Sequence, residues 1–407
     1  MKRTASFLFA LGIAIFTSCG QNSAGKATGN PSASVETKAP NSNYQPAFVG
    51  QTRVSGVKTT TPYEFKVLTE TLDFPWGIKS LPDGRFIITQ RESGTLLIAK
   101  MNGELSKAIT GLPAVNPDGQ GGLLGIAVDP AFEQNRMLYW TFSENVEGGT
   151  LTSVAKGKLS ADETKIENAM VIYRATPAYK GNLHYGSRIV FDKSGNLFVS
   201  TGERSDLVTR PQAQQLNSSL GKIIRITTEG KAVPGNPFEK QADAKPELYS
   251  YGHRNVQGLA LHPVTGALFN NEFGPRGGDE VNLISAGKNY GWPTITYGIE
   301  YGGKKIGGAI QQKAGLEQPV YYWDPSVSPS GMTFYSGDII PEWKNNLFIG
   351  CLSGMHIVRL VIENNKVTGE ERLLSEESQR FRDVTQGKDG ALYAVTDQGR
   401  LYRIAKK

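Results

Sequence analysis

The sequence predicts an all-β fold and, within that class, a six-bladed β-propeller over residues 64–407. From Phe65 onward, short alternating runs of Val, Ile, Leu, Phe and Tyr are broken by Gly, Pro, Asp or Asn, and no long stretch has a helical period. The 407 residues include 47 Gly and 21 Pro, which are poor in helix interiors and frequent in turns. One strand, turn and strand signature also recurs six times along the chain.

Each copy of this signature is an apolar strand, a turn built on Asp, Gly or Pro, and a second strand that starts near an aromatic residue. Six copies match one four-stranded blade each, with insertions between them. Two β-sandwich domains are the alternative, but sandwich strands would not repeat one signature so regularly. The copies are Gly77–Ile88, Leu124–Trp140, Arg188–Val199, Gly258–Phe269, Gly331–Gly350 and Arg382–Val395.

The first residues have the pattern of a bacterial export signal. Lys2 and Arg3 precede the apolar run Phe7–Phe16, which is too short to span a bilayer as a helix. Residues 16–20, FTSCG, are similar to a lipobox. We therefore expect a lipoprotein signal peptide over residues 1–18, lipidation of Cys19 and a periplasmic location at a bacterial membrane. An ordinary signal peptide with an incidental cysteine is the alternative.

Residues 19–63 are predicted to be a flexible tether. They are rich in Ser, Thr, Asn, Gly, Ala, Pro and Lys, and such a segment cannot bury enough apolar surface to offset its ordering entropy. With Cys19 lipidated, Cys351 is the only thiol left, which excludes a structural disulfide despite export. The fold must then be held by its core or by metal.

Charge and motifs exclude several classes of function. The formal net charge is +6, but the basic residues form no cluster or arm, so no nucleic-acid partner is expected. The sequence has no G-x-S-x-G, H-E-x-x-H or C-x-x-C motif, no P-loop and no dinucleotide fingerprint. These absences disfavour chemistry with NAD or ATP.

Polar loops between the predicted strands carry the candidate catalytic residues. His184 lies in a loop of small residues that runs into a blade strand, where an imidazole with an ordinary pKa of about 6.5 can act as a general base. Gln120 lies in a glycine-rich loop. Arg254 offers a planar fork to a carboxylate or oxyanion, and Asn255 beside it can donate and accept hydrogen bonds. Hydrogen bonding that stabilises the loops is the alternative role.

Two further segments suggest ligands of opposite charge. Arg380 and Arg382 alternate along an extended segment, so both guanidinium groups could face one polyanion, although arginines that solvate a strand are the ordinary alternative. The segment Glu272–Leu283 supplies carboxylates from Asp279 and Glu280 and turned backbone carbonyls, which are the hard oxygens that Ca²⁺ prefers. Asp-Gly turn chemistry explains this segment almost as well.

Five motifs follow one another along the chain: Gly119–Gly125, His184–Arg188, Gly252–Gly258, Asp279–Pro293 and Arg380–Asp383. In that order they resemble the glucose/sorbosone dehydrogenase family, and within it the soluble aldose sugar dehydrogenases that use pyrroloquinoline quinone (PQQ). The similarity covers roughly residues 65–405. Each motif is weak alone, but five in the same order are specific.

This resemblance implies a propeller that holds PQQ and a Ca²⁺ ion at the mouth of its channel and oxidises aldose sugars at the anomeric hydroxyl to the lactone. It implies that His184 is the general base, that Gln120 contacts the substrate, and that Arg254 is both catalytic and cofactor-binding. The remaining implied contacts are Asn255, Tyr297, Arg380 and Arg382 to the cofactor, the carbonyls of Gly274 and Pro275 to the quinone-bound calcium, and Glu280 and Tyr290 to a structural calcium.

The chain departs from the family pattern at two places. Leu183 stands where an Asp precedes the histidine, and residues 350–353, GCLS, replace a Gly-Ser-Leu-Lys stretch whose lysine binds the cofactor. Because Ser353 lacks the ammonium group of that lysine, the quinone is expected to bind more weakly.

Two other functions are alternatives to a dehydrogenase. One is a calcium-dependent lactonase or esterase in which His184 activates water, and the other is a propeller that binds protein or glycan without catalysis. The first leaves Arg380 and Arg382 without a role. The second has no use for His184, Gln120 and Arg254 together. The sequence does not identify the electron acceptor or the preferred sugar, nor does it distinguish a monomer from a homodimer.

Overall fold

The structure is a computed structural model that describes residues 33–407. Its strands form six antiparallel sheets, five of four strands and one of three, and the sheets surround one channel as the blades of a propeller. The all-β, six-bladed prediction is confirmed. The signal peptide expected over residues 1–18, the lipidated Cys19 and residues 20–32 of the tether lie outside the described residues.

Within each blade the strands follow chain order from the channel outward. Blade 1 comprises β2 (Pro75–Ser80), β3 (Phe86–Gln90) and β4 (Thr95–Ala99). Blade 2 comprises β5 (Leu123–Val128), β6 (Met137–Val146), β7 (Gly149–Leu159) and β8 (Ile166–Arg174). Blade 3 comprises β9 (Ile189–Phe191), β10 (Leu197–Ser200), β11 (Lys222–Ile226) and β12 (Leu248–Tyr251). Blade 4 comprises β13 (Val256–Leu261), β14 (Leu268–Glu272), β15 (Asp279–Ile284) and β16 (Tyr321–Trp323). Blade 5 comprises β17 (Pro329–Phe334), β18 (Leu347–Cys351), β19 (His356–Glu363) and β20 (Lys366–Leu373). Blade 6 comprises β21 (Phe381–Gln386), β22 (Leu392–Thr396) and β23 (Leu401–Lys406), and β1 (Tyr63–Thr69) is its outermost strand.

The ring is closed by pairing the two ends of the domain. Strand β1 runs antiparallel to β23, from Tyr63 opposite Lys406 to Thr69 opposite Leu401. The six innermost strands contact one another in a circle, and β21 of blade 6 contacts β2 of blade 1. Cys351 is a buried free thiol. Closure therefore rests on backbone hydrogen bonds and packing, without a disulfide among the described residues.

All six copies of the sequence signature coincide with the two innermost strands of a blade. Regular helix is confined, in residues 33–407, to α1 (Phe132–Asn135) and three short 3₁₀ helices, Arg210–Gln214, Pro341–Trp343 and Ser375–Glu377. No helix in this part of the chain is long and apolar enough to cross a membrane.

The apolar core lies between adjacent blades. Phe269 and Val281 of blade 4 pack in one cluster with Met332 and Ile349 of blade 5. The ring of Phe269 meets that of Phe334 edge-on, with centroids 5.3 Å apart. Each such side chain contributes about 1.5–3 kcal/mol when it is removed from water. Apolar burial therefore fixes each blade against its neighbour and leaves the channel free for polar groups.

A buried ion pair lies on the channel axis. Nη1 of Arg188 is 2.7 Å from Oδ2 of Asp383, and neither side chain is more than 1% exposed. The same carboxylate oxygen accepts the backbone N–H of Ile78, while Nε of Arg188 donates to the carbonyl of Gln257. The guanidinium also lies 4.2 Å from the ring centroid of Trp76. Blades 1, 3, 4 and 6 are thus joined at one point.

Gly331 of β17 leaves room for this pair. A Cβ atom at that position would lie 1.8 Å from Oδ1 of Asp383, well inside van der Waals contact. A glycine in the fifth copy of the signature therefore has a packing reason, because only a residue without a side chain lets β17 pass the buried carboxylate.

Residues 33–62, which we call the N-terminal strap, lie along blades 4 and 5. The prediction of a flexible tether is wrong for this segment. The carboxylate of Asp324 accepts hydrogen bonds from the backbone N and Nδ2 of Asn41 at 2.8 and 2.9 Å. Further along, Thr59 donates its N–H and its hydroxyl to the two oxygens of Glu371, each at 2.7 Å.

The strap is ordered by polar contacts that composition does not reveal. Gln51 is fully buried and donates from Nε2 to the carbonyl of Pro319 at 2.9 Å. Val54 is 8% exposed and belongs to the apolar cluster between blades 4 and 5. Buried hydrogen bonds to partners fixed by the blades, together with this single apolar anchor, offset the ordering entropy that a low apolar content alone could not.

We expect Asp383→Ala to lower the free energy of unfolding by about 3–5 kcal/mol, because it leaves the buried Arg188 charge unpaired. Urea unfolding of the purified chain measures this. Asp83→Ala, which breaks a pair with Arg85 whose side chains are 30% and 49% exposed, is the matched control and should cost about 1 kcal/mol or less. Equal losses in the two variants would contradict the central role of the axial pair.

Candidate active site

A cavity of about 540 Å³ lies on the channel axis beside the buried ion pair. Each innermost strand, or the loop that precedes it, contributes to the wall. Trp76 and Gln257 belong both to this wall and to the surroundings of Arg188, so the ion pair lies behind the cavity floor. The six contributors are Trp76, Leu124, Gly186, Gln257, Ser328 and Arg382.

His184 lies in the cavity wall, where the sequence predicts it. The side chain is nearly buried, and Nδ1 lies 2.7 Å from Oε1 of Glu203. Its backbone N–H donates to Oε1 of Gln120, 2.9 Å away, and Gln120 also lines the cavity. A Cβ on Gly202 would lie 2.1 Å from the carbonyl oxygen of His184, so glycine is needed where the two loops cross. With Nδ1 occupied by Glu203, Nε2 is the nitrogen left to a ligand.

The surroundings of His184 keep its imidazole neutral. Burial and then the charge of Arg254 lower the pKa of His184 to about 4, while the hydrogen bond and charge of Glu203 act in the opposite direction. At neutral pH the ring is therefore unprotonated and can accept a proton. Glu203 would stabilise the imidazolium formed when it does so.

Glu203 is a functional candidate that sequence reasoning missed. It lies in the loop after β10, is 1% exposed, and its second oxygen, Oε2, has no hydrogen-bond partner. Its backbone N–H donates to the carbonyl of Arg254. The only local signal is the polar sequence TGER, residues 201–204, at the end of a blade strand. Nothing in the spacing of the two residues pairs Glu203 with His184.

Arg254 and Asn255 lie behind the cavity wall. Nη1 of Arg254 donates to the carbonyls of Phe273 and Gly274 at 3.1 and 2.7 Å, and Nε has no partner. Asn255 is fully buried, accepts the N–H of Gly186 at 3.0 Å, and has no partner for Nδ2. Both therefore hold loops together in the way the alternative interpretation expects. Their contact with a cofactor stays a prediction, to which the unpartnered Nε and Nδ2 groups lend support.

Arg380 and Arg382 converge on the cavity as expected. Both line it, and both donate to the carboxylate of Asp397, from Nε at 3.0 and 2.8 Å respectively. Burial raises the pKa of Asp397, but the charges and hydrogen bonds of the two arginines outweigh this and lower it. The pair carries one more positive charge than Asp397 neutralises. Asp397, which also lines the cavity, was not identified from the sequence.

Carboxylates crowd a small cavity beside β14 and β15. Glu272 and Glu280 are direct cross-strand partners, so their side chains share one face of the sheet. Asn282 donates from Nδ2 to both, at 3.2 and 3.3 Å, while its Oδ1 has no partner. Burial, and then the charge of Glu272, raise the pKa of Glu280 well above its ordinary value. A cation would relieve this repulsion.

The four predicted calcium contacts, Gly274, Pro275, Glu280 and Tyr290, all line one small cavity. This cavity of about 10 Å³ has room for about one water-sized sphere. The hydroxyl of Tyr290 donates to a backbone carbonyl at 2.7 Å, so only its carbonyl is left as a ligand. The carbonyl of Gly274 accepts from Arg254, and that of Pro275 accepts a serine hydroxyl at 3.2 Å. These contacts stay predictions.

In residues 33–407 no group of three or more His, Cys, Asp or Glu side chains has the arrangement of a metal site. A calcium site need not contain one, because Ca²⁺ is held as readily by backbone and amide carbonyls as by carboxylates.

Tyr297 is not in the wall of the axial cavity, and its contact with a cofactor stays a prediction. The side chain is 1% exposed, and its hydroxyl lies 2.6 Å from Oε1 of Gln318 and 3.0 Å from Oε1 of Gln51 in the strap. Its ring stacks on that of Tyr322 with centroids 4.0 Å apart. The tyrosines that do line the cavity are Tyr185, which is 2% exposed, and Tyr301, which is 68% exposed.

Comparison with known proteins agrees with this architecture. The profile of the Glucose / Sorbosone dehydrogenase family matches residues 72–403. The chain is 41% identical over 346 residues to the aldose sugar dehydrogenase YliI of Escherichia coli K12, covering 84% of this chain and 92% of that protein.

Two solved structures extend the comparison. The apo form of the soluble aldose sugar dehydrogenase of E. coli superimposes with a TM-score of 0.81 at 40% identity, covering 85% of this chain and 100% of that one. The PQQ-bound form of the aldose sugar dehydrogenase of Streptomyces coelicolor gives 0.70 at 28% identity, covering 86% and 99%. The family match spans all six blades and every cavity residue discussed above, and the chain therefore belongs to the glucose/sorbosone dehydrogenase family of oxidoreductases.

Proposed function

We propose that this chain is a PQQ-dependent aldose sugar dehydrogenase that oxidises the anomeric hydroxyl of an aldose to the lactone. The observation that carries the proposal is the composition of one cavity wall, where a neutral, carboxylate-held imidazole and two convergent arginines face the same space. A proton acceptor beside an anion site is what oxidation of an alcohol by an anionic cofactor requires. The relatives named as aldose sugar dehydrogenases support sugars as the substrate class.

The residues present fit PQQ, a planar quinone that carries several carboxylates. A volume of about 540 Å³ is in the usual range for a cofactor site. Arg91, Arg380 and Arg382 line it, against the single carboxylate of Asp397, so the wall is net positive. Arg380 and Arg382 would hold a carboxylate of the cofactor, and Arg254 would add its positive charge from behind the wall.

Each protein group has a distinct role in the proposed reaction. Nε2 of His184 takes the proton of the anomeric hydroxyl, and Glu203 holds the ring in place and stabilises its charged form. The backbone hydrogen bond from His184 to Gln120 fixes the amide beside the sugar. When bound, PQQ supplies the acceptor for the hydride that leaves C1 of the sugar.

Calcium is proposed in two roles. One ion would bind at the carbonyls of Gly274 and Pro275 and polarise the quinone, and a second would bind at Glu280 and Tyr290. The second role is supported by the facing carboxylates of Glu272 and Glu280, which share their cavity with one buried cation among the described side chains, Arg254, and so exceed its charge by one. We also propose export and lipid anchoring through Cys19.

Reconstitution tests the proposal. The purified chain is titrated with PQQ and Ca²⁺, and reduction of an electron-accepting dye is followed across a panel of aldoses. Sugar-dependent reduction that needs PQQ is expected. Hydrolysis of lactones without PQQ would instead support the lactonase alternative, and binding of glycans without turnover would support the binding-module alternative.

His184 and Arg382 should give opposite kinetic signatures. His184→Ala removes the base and should lower turnover at saturating PQQ by about 10²–10⁴-fold while PQQ affinity is retained. Arg382→Ala should weaken PQQ binding by about 1.5–3 kcal/mol and leave saturated turnover largely intact. Quinone affinity and turnover at saturating quinone are measured for both variants. Full sugar-dependent activity in His184→Ala would contradict the proposed mechanism.

The pH profile reports on Glu203. Because the pKa of His184 is lowered to about 4, turnover should hold from neutral pH to about 5 and fall only as the pH approaches 4. Glu203→Gln removes the charge that raises this pKa, so the acid limb should move lower and turnover should drop by about 10²–10⁴-fold. The exposed Glu133→Gln serves as control. An acid limb near 6.5 in the parent chain would contradict the buried, neutral imidazole.

Calcium should stabilise the fold, because an ion that binds only the native state raises stability by mass action. A chelator is expected to lower the melting temperature of the parent chain. Glu280→Gln removes both a ligand and the repulsion with Glu272, so this variant should melt lower than the parent in Ca²⁺ but no lower in chelator. The exposed Glu363→Gln is the control, and an unchanged chelator response in Glu280→Gln would exclude Glu280 as a ligand.

A further inference from the structure

A second cavity, of about 370 Å³, adjoins the axial one. The two share Phe273, Tyr301 and Ser328 in their walls, so they lie side by side. Residues found only in the second wall include Arg276 and Asn41, and Asn41 belongs to the N-terminal strap. The family match begins at residue 72, so the strap contributes to this wall from outside the matched region.

Arg276 is held in the second cavity by the strap. Its Nε donates to Oδ1 of Asn41 at 3.0 Å. Asn41 is itself fixed, because its backbone N and Nδ2 both donate to Oδ1 of the nearly buried Asp324, and the neighbouring Ser42 donates its N–H and hydroxyl to Oδ2 at 3.1 Å. This chain of contacts fixes one edge of the guanidinium. Its two Nη groups make no hydrogen bond to any described residue, and they remain available to a ligand.

The charge of this cavity suits an anion. Asp279 also lines it, but one carboxylate oxygen accepts the N–H of Gly274 and the other accepts those of Val327 and Ser328, at 2.7–2.8 Å. Its charge is thus satisfied by the backbone and is not directed at Arg276. The rest of the polar wall is neutral.

Ser353, which stands where the family pattern has a cofactor-binding lysine, lies in the same wall as Arg276. Its hydroxyl is 2.7 Å from that of Ser328. A hydroxyl supplies no charge, so the cation of this cavity has to come from another residue, and Arg276 is the guanidinium that lines it.

We propose that Arg276, positioned by Asn41 of the strap, is an additional anion-binding residue of the cofactor site and takes a carboxylate of PQQ in the second cavity. The proposal rests on the proposed function, because it assumes that PQQ occupies the axial cavity. It gives the strap a functional role, and it places the charge lost at Ser353 on a different residue of the same wall.

Equilibrium titration of the full chain with PQQ in the presence of Ca²⁺, followed by quenching of tryptophan fluorescence, tests this without reference to activity. Arg276→Ala should weaken PQQ binding about 10–100-fold, the value of a charge-assisted hydrogen bond. Arg276→Lys should have an affinity between those of the parent chain and Arg276→Ala, because it keeps the positive charge but loses the planar pair of guanidinium donors. Arg174→Ala on the outer strand of blade 2 removes the same charge away from both cavities and should bind as the parent does.

Asn41→Ala separates positioning from general charge. It should weaken PQQ binding less than Arg276→Ala does, and it should have no further effect in the Arg276→Ala background, because Asn41 acts through the guanidinium. Melting temperatures of all variants are measured alongside, so that loss of the fold is recognised.

The possible results are distinct. If the parent chain does not bind PQQ, the proposed function fails. If the parent binds PQQ and Arg276→Ala binds it equally well, only the role of Arg276 is overturned. If Asn41→Ala and Arg276→Ala weaken binding additively, the strap does not act through Arg276 and the positioning argument fails.

Discussion

The buried pair of Arg188 and Asp383 is the interaction on which the site depends. A charge at 1% exposure or less, left without its partner, would cost several kcal/mol, so the strands that surround the pair must hold their relative positions. Because Ile78 and Gln257 supply further bonds to the same two side chains, polar contacts fill this part of the channel. This filling gives the axial cavity its floor.

Above that floor, one requirement of the proposed chemistry opposes another. A site that attracts an anionic cofactor must be positive, yet a positive field makes a histidine harder to protonate and a weaker base, as the effect of Arg254 on His184 illustrates. The carboxylate of Glu203, which lies within hydrogen-bond distance of the ring, offsets the effect of that positive field on the basicity of His184. Arg380 and Arg382, in turn, share Asp397, which keeps two like charges together in one wall. Each charged group that faces the cavity thus has a counter-charge that sets its position.

The features that could be predicted from the sequence are those with a local signature. The blades were predictable because each innermost hairpin repeats one apolar and turn pattern, and Arg380 and Arg382 because alternation along a strand sets direction. Glu203 and Asp397 were missed because their partners are brought near only by the fold. The packing of Tyr297 could not be predicted because its motif does not show which way the ring turns. The strap, whose Gln51 contacts that tyrosine, carries no apolar period.

In the proposed function, one cavity brings an aldose and a quinone together. The most direct test is an anaerobic single turnover of the PQQ-loaded chain with no dye present, using an aldose with hydrogen or deuterium at C1. We expect the bound quinone to be reduced, one equivalent of lactone to form for each quinone, and the deuterated sugar to react more slowly. A chain that binds PQQ fully but whose quinone is reduced by no aldose would contradict the account.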